Sequence, residues 1–368
     1  MTTSQFIPLA KPEFCGNEKQ YVAEALSSTW ISGGPFVERL EHDFANYFGA
    51  PYALTAANGT SALHMAFLAL GAGPGDEIIV PGFAFLAAAN LSLLMNATPV
   101  FAEISPDTWC VTADAIEKCL SPRTKLIVPI HTYGNVCDMD SILTLAESHN
   151  IPVVEDAAES LASLYKGRYA GTLGTIGTFS FQATKTITTG EGGMVVTKDK
   201  DMYAQMALYR SHGMLRKRYY WHELAGHNFR LTNIQAALGC AQMEMLNQKI
   251  AGRKHVHQQY ERRLSNIDGL VLQVFQPDVE AVPWSIAVKL DPRAYPQGRD
   301  TVMQQMRDAQ IETRPGFCAP SLMGHLYTSP ELPVCTDVSQ QVIVLPTFPS
   351  LSDDQIEFVC ATLIRMKS

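Results

Sequence analysis

With 368 residues the chain is long enough to bury a sizeable core, and its length predicts one large domain accompanied by a smaller one. A hydrophobic content of 46% and a charged content of 17% are those of an ordinary globular protein, so disorder is expected only at the ends. The net charge of −8 and a pI near 5.7 argue against a nucleic-acid partner, because neutralising phosphates takes a basic face.

Residues 1–15 read as extended and proline-punctuated. The opening MTTSQFIPLAKPEF lacks the apolar core of a secretory signal, and the eight cysteines include no CxxC, so reduced cysteines in a cytoplasmic protein are expected. Helical periodicity begins near Asn17, with Tyr21, Val22, Ala25 and Leu26 on one face. The loop from Thr29 to Pro35 sets Trp30 and Ser32 beside two glycines, which suits either a lid over a ligand or a Trp packed under its own loop. A second helix follows through Val37, Leu40, Phe44 and Tyr47.

From Tyr52 onward, strands and helices alternate with the spacing of βα units. Strands are expected at 53–56, 77–80, 98–102, 125–130, 153–155, 178–181 and 193–197, with helices near 60–71, 84–95, 112–119, 138–149 and 200–210. The most apolar stretch, 82–103, is broken by Asn90, Ser92, Asn96, Thr98 and Pro99, so it reads as a buried helix and strand and no membrane association is expected. The pattern predicts an α/β fold: a large domain with a mostly parallel seven-stranded sheet, helices on both faces, and a smaller α+β C-terminal domain. In such sheets ligands bind beyond the carboxyl ends of the strands.

Residues 210–230 are irregular, with Arg216, Lys217 and Arg218 preceding Tyr219, Tyr220 and Trp221; this suits a diphosphate-bearing ligand or a solvated loop. His222 and His227 imitate a zinc-protease motif, but they are five apart and a Gly intervenes, so metal binding is rejected there. A long helix is expected from about 232 to 264. Beyond it lie strands near 270–275, 285–289 and 343–345 and helices near 299–309 and 352–366, which places the domain boundary between 245 and 246.

The residues at the strand ends carry the chemistry. After the first strand, Asn58-Gly59-Thr60-Ser61 opens a helix, either as a simple N-cap or as an anion site that uses the helix N-terminus. Phe83-Ala84-Phe85 follows the second strand and supplies an aromatic plate or core packing. Asp156 stands at the tip of another strand, where its carboxylate could pair with a protonated ring nitrogen or cap a helix. Ser180 ends the next strand. Lys185 then sits alone among threonines in a Gly-rich, hairpin-like turn, as a solvated surface lysine or a reactive amine. Phosphate anchor, ring stack, nitrogen partner and Schiff-base amine are together the requirements of pyridoxal 5′-phosphate.

The segments GTFSF, TKTITTGEGGMVVT, NGTSALHMA, DAAE and GHNFRLTNIQAALG occur in an order that resembles the DegT/DnrJ/EryC1 family of sugar aminotransferases, over essentially residues 8–317. Within that family WISGGPFVERLE, RYYWHELAGHNFRLTNIQAA and ETRP are most similar to 4-keto-sugar aminotransferases. The resemblance implies the type I fold of pyridoxal-phosphate-dependent transferases. It implies that Lys185 bonds the cofactor and later shuttles the proton between C4′ and the sugar carbon. Asp156 would pair with the pyridine nitrogen, Glu159 would lie near the ring hydroxyl and Phe85 would stack on the ring. Thr60, Ser61 and Ser180 would hold the phosphate, with Asn228 reaching it from the neighbouring subunit of a homodimer with shared active sites. Trp30, Ser32, His131 and Arg314 would face the sugar nucleotide. L-Glutamate would convert the cofactor to pyridoxamine 5′-phosphate, which would then aminate a nucleotide-linked 4-keto-6-deoxyhexose. Dehydratases of the family carry histidine in place of the lysine, so Lys185 argues against that chemistry. The departures are Gln182, where relatives carry an aromatic or His, and the stretch 317–327, where Ser321 replaces a usual histidine. The nucleotide base and the choice between C3 and C4 amination stay open.

Overall fold

A computed structural model describes residues 6–215, 217–218, 220–326 and 330–368; Arg216, Tyr219 and Tyr327, singled out above, lie outside them. The strands in chain order are β1 Tyr52–Ala56, β2 Glu77–Pro81, β3 Thr98–Ala102, β4 Thr124–Ile127, β5 Val154–Asp156, β6 Leu164–Tyr165, β7 Arg168–Tyr169, β8 Ile176–Ser180 and β9 Gly193–Thr197. They are followed by β10 Leu270–Leu272, β11 Val279–Glu280, β12 Ile286–Leu290, β13 Arg314–Pro315 and β14 Val342–Leu345.

Hydrogen-bonded ladders give the orders β1-β9-β8-β5 and β3-β2-β4, and parallel bridges from Ile127 to Val153 and from Ile130 to Asp156 join the two sets. The result is the expected seven-stranded sheet, β3-β2-β4-β5-β8-β9-β1, in which only β9 runs antiparallel. β2 is buried along its whole length, as a strand covered on both faces must be. Successive side chains alternate between the two large apolar clusters: Ile78 and Val80 join one and Ile79 the other, as do Val154 and Val153. The strand expected at 125–130 stops at Ile127 because Pro129 has no N–H for the ladder.

β8 and β9 form an antiparallel hairpin, pairing Ile176 with Thr197 through to Ser180 with Gly193. Its connection carries Lys185 and turns back at Gly190, whose φ of +81° is left-handed. A Cβ at Gly193 would stand 2.6 Å from the Asn58 carbonyl oxygen, so that glycine lets β9 pass against the loop that opens the helix Gly59–Ala69.

The single long helix expected over 232–264 is two helices, Asn233–Glu244 and Leu246–Leu264. Thr232 starts the first with a capping box to Gln235, and Met245, at φ −98° and ψ 5°, separates the two. The C-terminal sheet has the order β10-β12-β14-β13 and packs on its own apolar cluster, which also takes in Ile7 from the N-terminal segment. The helix Pro333–Gln341 is unanticipated; it is short and opens on a proline at its first position. No helix among the described residues is long and apolar enough to cross a membrane.

Candidate active site

A cavity of about 600 Å³ opens at the carboxyl edge of the sheet, between β5, β8, the β8–β9 connection and residues 284–317. Thr60, Phe85, Asp156, Glu159, Ser180 and Lys185 all line it. Residues scattered over more than a hundred positions meet there because parallel strands deliver their ends to one edge.

The phosphate-binding candidates lie at the start of the helix Gly59–Ala69. Asn58 caps it, its side-chain oxygen accepting from the Ser61 N–H at 2.8 Å. That leaves the N–H groups of Gly59 and Thr60, both on the cavity wall, and the positive end of the helix dipole beside it. A Cβ on Gly59 would stand 2.9 Å from Ser180 Cβ, so glycine is what brings the helix start against the end of β8. Ser61 is buried behind Thr60 and is not part of the wall. Phe85 is 64% exposed at the mouth, whereas Phe83 is fully buried, so Phe85 is the aromatic free to cover a ring.

Asp156 is buried, with one oxygen accepting the Ala158 N–H at 3.0 Å. Burial raises its carboxyl above the ordinary value, against the Ala158 hydrogen bond and the Lys185 and His131 charges. Glu159 accepts the Tyr133 N–H at 2.9 Å and lies 4.0 Å from Lys185 Nζ. Burial pushes Glu159 up to about 7, Lys185 and the Tyr133 N–H oppose that rise, and Asp156 adds to it. Lys185 is the complementary case: burial lowers its ammonium below the ordinary lysine value, Glu159 and Asp156 pull it back, and Arg253 lowers it further. A lysine so placed gives up its proton more readily than an exposed one, which favours the neutral amine that a nucleophile requires.

His131 is corrected by the structure. It is fully buried, outside the cavity wall, with Nε2 3.0 Å from Glu155 and Nδ1 accepting the Cys137 N–H. Glu155 also accepts the N–H groups of Gly171, Leu173 and Gly174, so the pair is an internal brace. Strand alternation is the reason, because Ile130 and Asp156 face the cavity while His131 and Glu155 face away.

Arg314 lines the rim, 61% exposed, with Glu312 at 3.5 Å. Trp30 and Ser32 do not reach the Lys185 cavity of the same chain. They border a second, open cavity of about 920 Å³ shared with Arg210, Arg218 and Arg230. Asn228 is exposed nearby, accepting from Arg230 at 3.1 Å, and is likewise absent from the Lys185 cavity.

Sequence reasoning missed Trp284, whose ring lies 3.5 Å from Lys185 Nζ and whose indole N–H donates to the Thr184 carbonyl at 2.9 Å. It also missed Tyr133 as part of the wall, where it stacks on Phe317 at 5.1 Å. No local pattern marks Trp284; only its position after a proline at the start of a C-terminal strand hinted at a placed aromatic.

The DegT/DnrJ/EryC1/StrS aminotransferase family model matches residues 13–364. The chain is 41% identical over 364 residues to the GDP-perosamine synthase of Escherichia coli O157:H7, covering 98% of each. It is 41% identical over 365 residues to the GDP-perosamine synthase of Caulobacter vibrioides, covering 97% of each. Among solved structures, Spr1654 from Streptococcus pneumoniae, described as a sugar aminotransferase in its PLP form, superposes with a TM-score of 0.93 at 25% identity over 98% of each chain. The same protein is also known in a PMP form. The chain is a member of the DegT/DnrJ/EryC1/StrS aminotransferase family, a pyridoxal-phosphate-dependent sugar aminotransferase of fold type I.

Proposed function

We propose that this enzyme transfers the amino group of L-glutamate to C4 of a nucleotide-linked 4-keto-6-deoxyhexose, with a GDP sugar as the favoured acceptor. The observation that carries the reading is the cavity itself, where the Lys185 amine lies 4.0 Å from the buried Glu159 and shares the wall with the buried Asp156 at the edge of the sheet. The identity of 41% with two GDP-perosamine synthases, over nearly the whole chain, supports the choice of acceptor.

The residues present fit pyridoxal 5′-phosphate. A buried carboxylate awaits a cationic partner, a helix start faces the cavity beside Ser180, and an exposed aromatic ring stands at the mouth. When bound, the cofactor supplies an electron-withdrawing ring that stabilises negative charge at the carbon gaining or losing nitrogen. Asp156 would hold the proton on the pyridine nitrogen, a cation that would offset the cost of burying the carboxylate. Thr60 and Ser180, with the N–H groups of Gly59 and Thr60 at the helix start, would bind the phosphate, and Phe85 would cover the ring, whereas Ser61 stands behind the wall and does not reach it. Lys185 Nζ would anchor the cofactor and, when its amine is free, would hold or release a proton beside the carbon that gains or loses nitrogen. Glu159, braced by the Tyr133 N–H, sits within 4.0 Å of that amine and takes or returns its proton.

The exposed Asn228 and the separate placement of Trp30 and Ser32 support a homodimer in which each subunit completes the site of its partner. Residues 246–368 form the smaller unit, contributing Trp284 and Arg314 to the wall. The setting inferred is the cytoplasm, where the amino sugar would serve lipopolysaccharide O-antigen assembly. The test is an amination assay with L-glutamate across GDP-, UDP- and dTDP-linked 3-keto and 4-keto sugars, with the product position read by NMR. A 4-amino GDP sugar as the fastest product is expected, and preference for a 3-keto sugar overturns the reading.

A further inference from the structure

The helix Leu246–Leu264 buries two cations one turn apart beneath the loop that carries Lys185. They are Lys249 and Arg253, each 3% exposed. Among the described residues neither makes an ion pair with a carboxylate, and both donate to backbone carbonyls. Lys249 Nζ donates to the Glu13 carbonyl at 2.9 Å. The Arg253 guanidinium donates to the carbonyls of Trp284 at 2.8 Å, Pro283 at 3.4 Å and Thr184 at 3.4 Å, while its Nε has no acceptor.

A cation buried for stability alone is expected to meet a carboxylate, because carbonyl dipoles repay only part of its desolvation. The acceptors here are not arbitrary backbone. Thr184 is the covalent neighbour of Lys185, and Trp284 is the residue whose ring covers Lys185 Nζ at 3.5 Å. One guanidinium therefore ties together the two segments that hold the reactive amine.

We propose that Arg253 is a positioning residue of the active site: its unpaired guanidinium clips the Thr184 and Trp284 carbonyls together around Lys185 and disfavours a second positive charge at Lys185 Nζ. The proposal rests on the reading of Lys185 as the reactive amine. The groups facing that amine are Glu159 and Asp156 from the end of β5, the Trp284 ring before β12 and Arg253 from the helix below. The two carboxylates and the ring favour the ammonium form. Burial and Arg253 oppose it, so Arg253 counterbalances the carboxylates that the cofactor chemistry demands. A neighbouring cation is an established means of freeing a lysine amine for attack.

The test is pH-dependent trace acetylation of the full-length protein with limiting acetic anhydride, read at the Lys185 peptide by mass spectrometry. It is made on the pyridoxamine-phosphate form of the holoenzyme and on the cofactor-free chain, in both of which the amine is free. The wild-type midpoint is expected below the ordinary lysine value of about 10.4. Arg253→Gln is expected to raise it by about one pH unit, leaving roughly tenfold less neutral amine at pH 8, while Arg253→Lys stays within about 0.3 unit of wild type. An unchanged or lowered midpoint in Arg253→Gln overturns the proposal, as does an equal rise in Arg253→Lys. Should Arg253→Gln fail to fold, Arg253→Lys alone decides: a retained midpoint supports the proposal and a rise overturns it. The cofactor-free arm reports on Arg253 even if Lys185 proves not to carry the cofactor, so the two readings fail separately.

Discussion

Lys185 and Trp284, ninety-nine positions apart, meet with the ammonium nitrogen 3.5 Å from the centroid of the indole ring. The same indole donates to the Thr184 carbonyl at 2.9 Å, so the ring and the lysine loop are locked as one unit. A lysine side chain has four rotatable bonds, and holding its amine against a ring face reduces the freedom it must lose before reacting.

Trp284→Ala removes both contacts. The lysine loop then loses the ring face and the hydrogen bond that hold its amine in place, and from this lost positioning kcat is expected to fall roughly 5- to 30-fold with little change in KM for the keto sugar. Trp284→Phe keeps a ring and loses the indole hydrogen bond, for an expected loss of about fivefold. Steady-state kinetics of both variants check this, and equal losses in the two would show that the hydrogen bond, not the ring, matters.

Asp156→Asn separates function from stability. With no charge to hold a proton on the ring nitrogen, kcat is expected to fall at least about 100-fold and cofactor affinity to weaken, as read by kinetics and equilibrium dialysis. Burial raises the Asp156 carboxyl in the folded chain, so ionisation at pH 7 opposes folding when no cationic partner is bound. The cofactor-free Asn variant is therefore expected to melt at a higher temperature than wild type at pH 7. The difference should fade as the pH falls through the ordinary carboxylate range, where Asp156 is protonated in both states.

Glu159 carries a pH signature of its own. Its folded value is raised from 4.5 to about 7, chiefly by burial. The folded chain thus favours the protonated carboxyl, a contribution fully present below 4.5 and lost as the pH rises towards 7. Thermal unfolding of the cofactor-free chain between pH 4.5 and 8 should show that loss, and Glu159→Gln should flatten it. An equally steep profile in the variant would assign the titration elsewhere.

Much of the site was legible because strand ends are local features. β3 and β9 and the helix Lys200–Arg210 run over the expected residues, and Thr60, Phe85, Asp156, Ser180 and Lys185 reach one cavity. His131 was misjudged because a histidine just after a strand was read without its alternation partner. Glu155, adjacent to Asp156 and necessarily on the opposite face, was the available clue. Trp284 and Arg253 were out of reach for a different reason. They meet Lys185 only through the packing of a C-terminal strand and a helix that periodicity reads as a plain continuation of its predecessor. The break at Met245, which separates that helix from its predecessor, has no proline or glycine to announce it.

The central claim is that Lys185 is the amine that bonds the cofactor. Borohydride reduction of the purified holoenzyme followed by peptide mass spectrometry tests it most directly. The account predicts the reduced pyridoxyl-phosphate mass on the peptide containing Lys185, with the label lost in Lys185→Ala. Label on any other lysine, or its persistence in that variant, would contradict it.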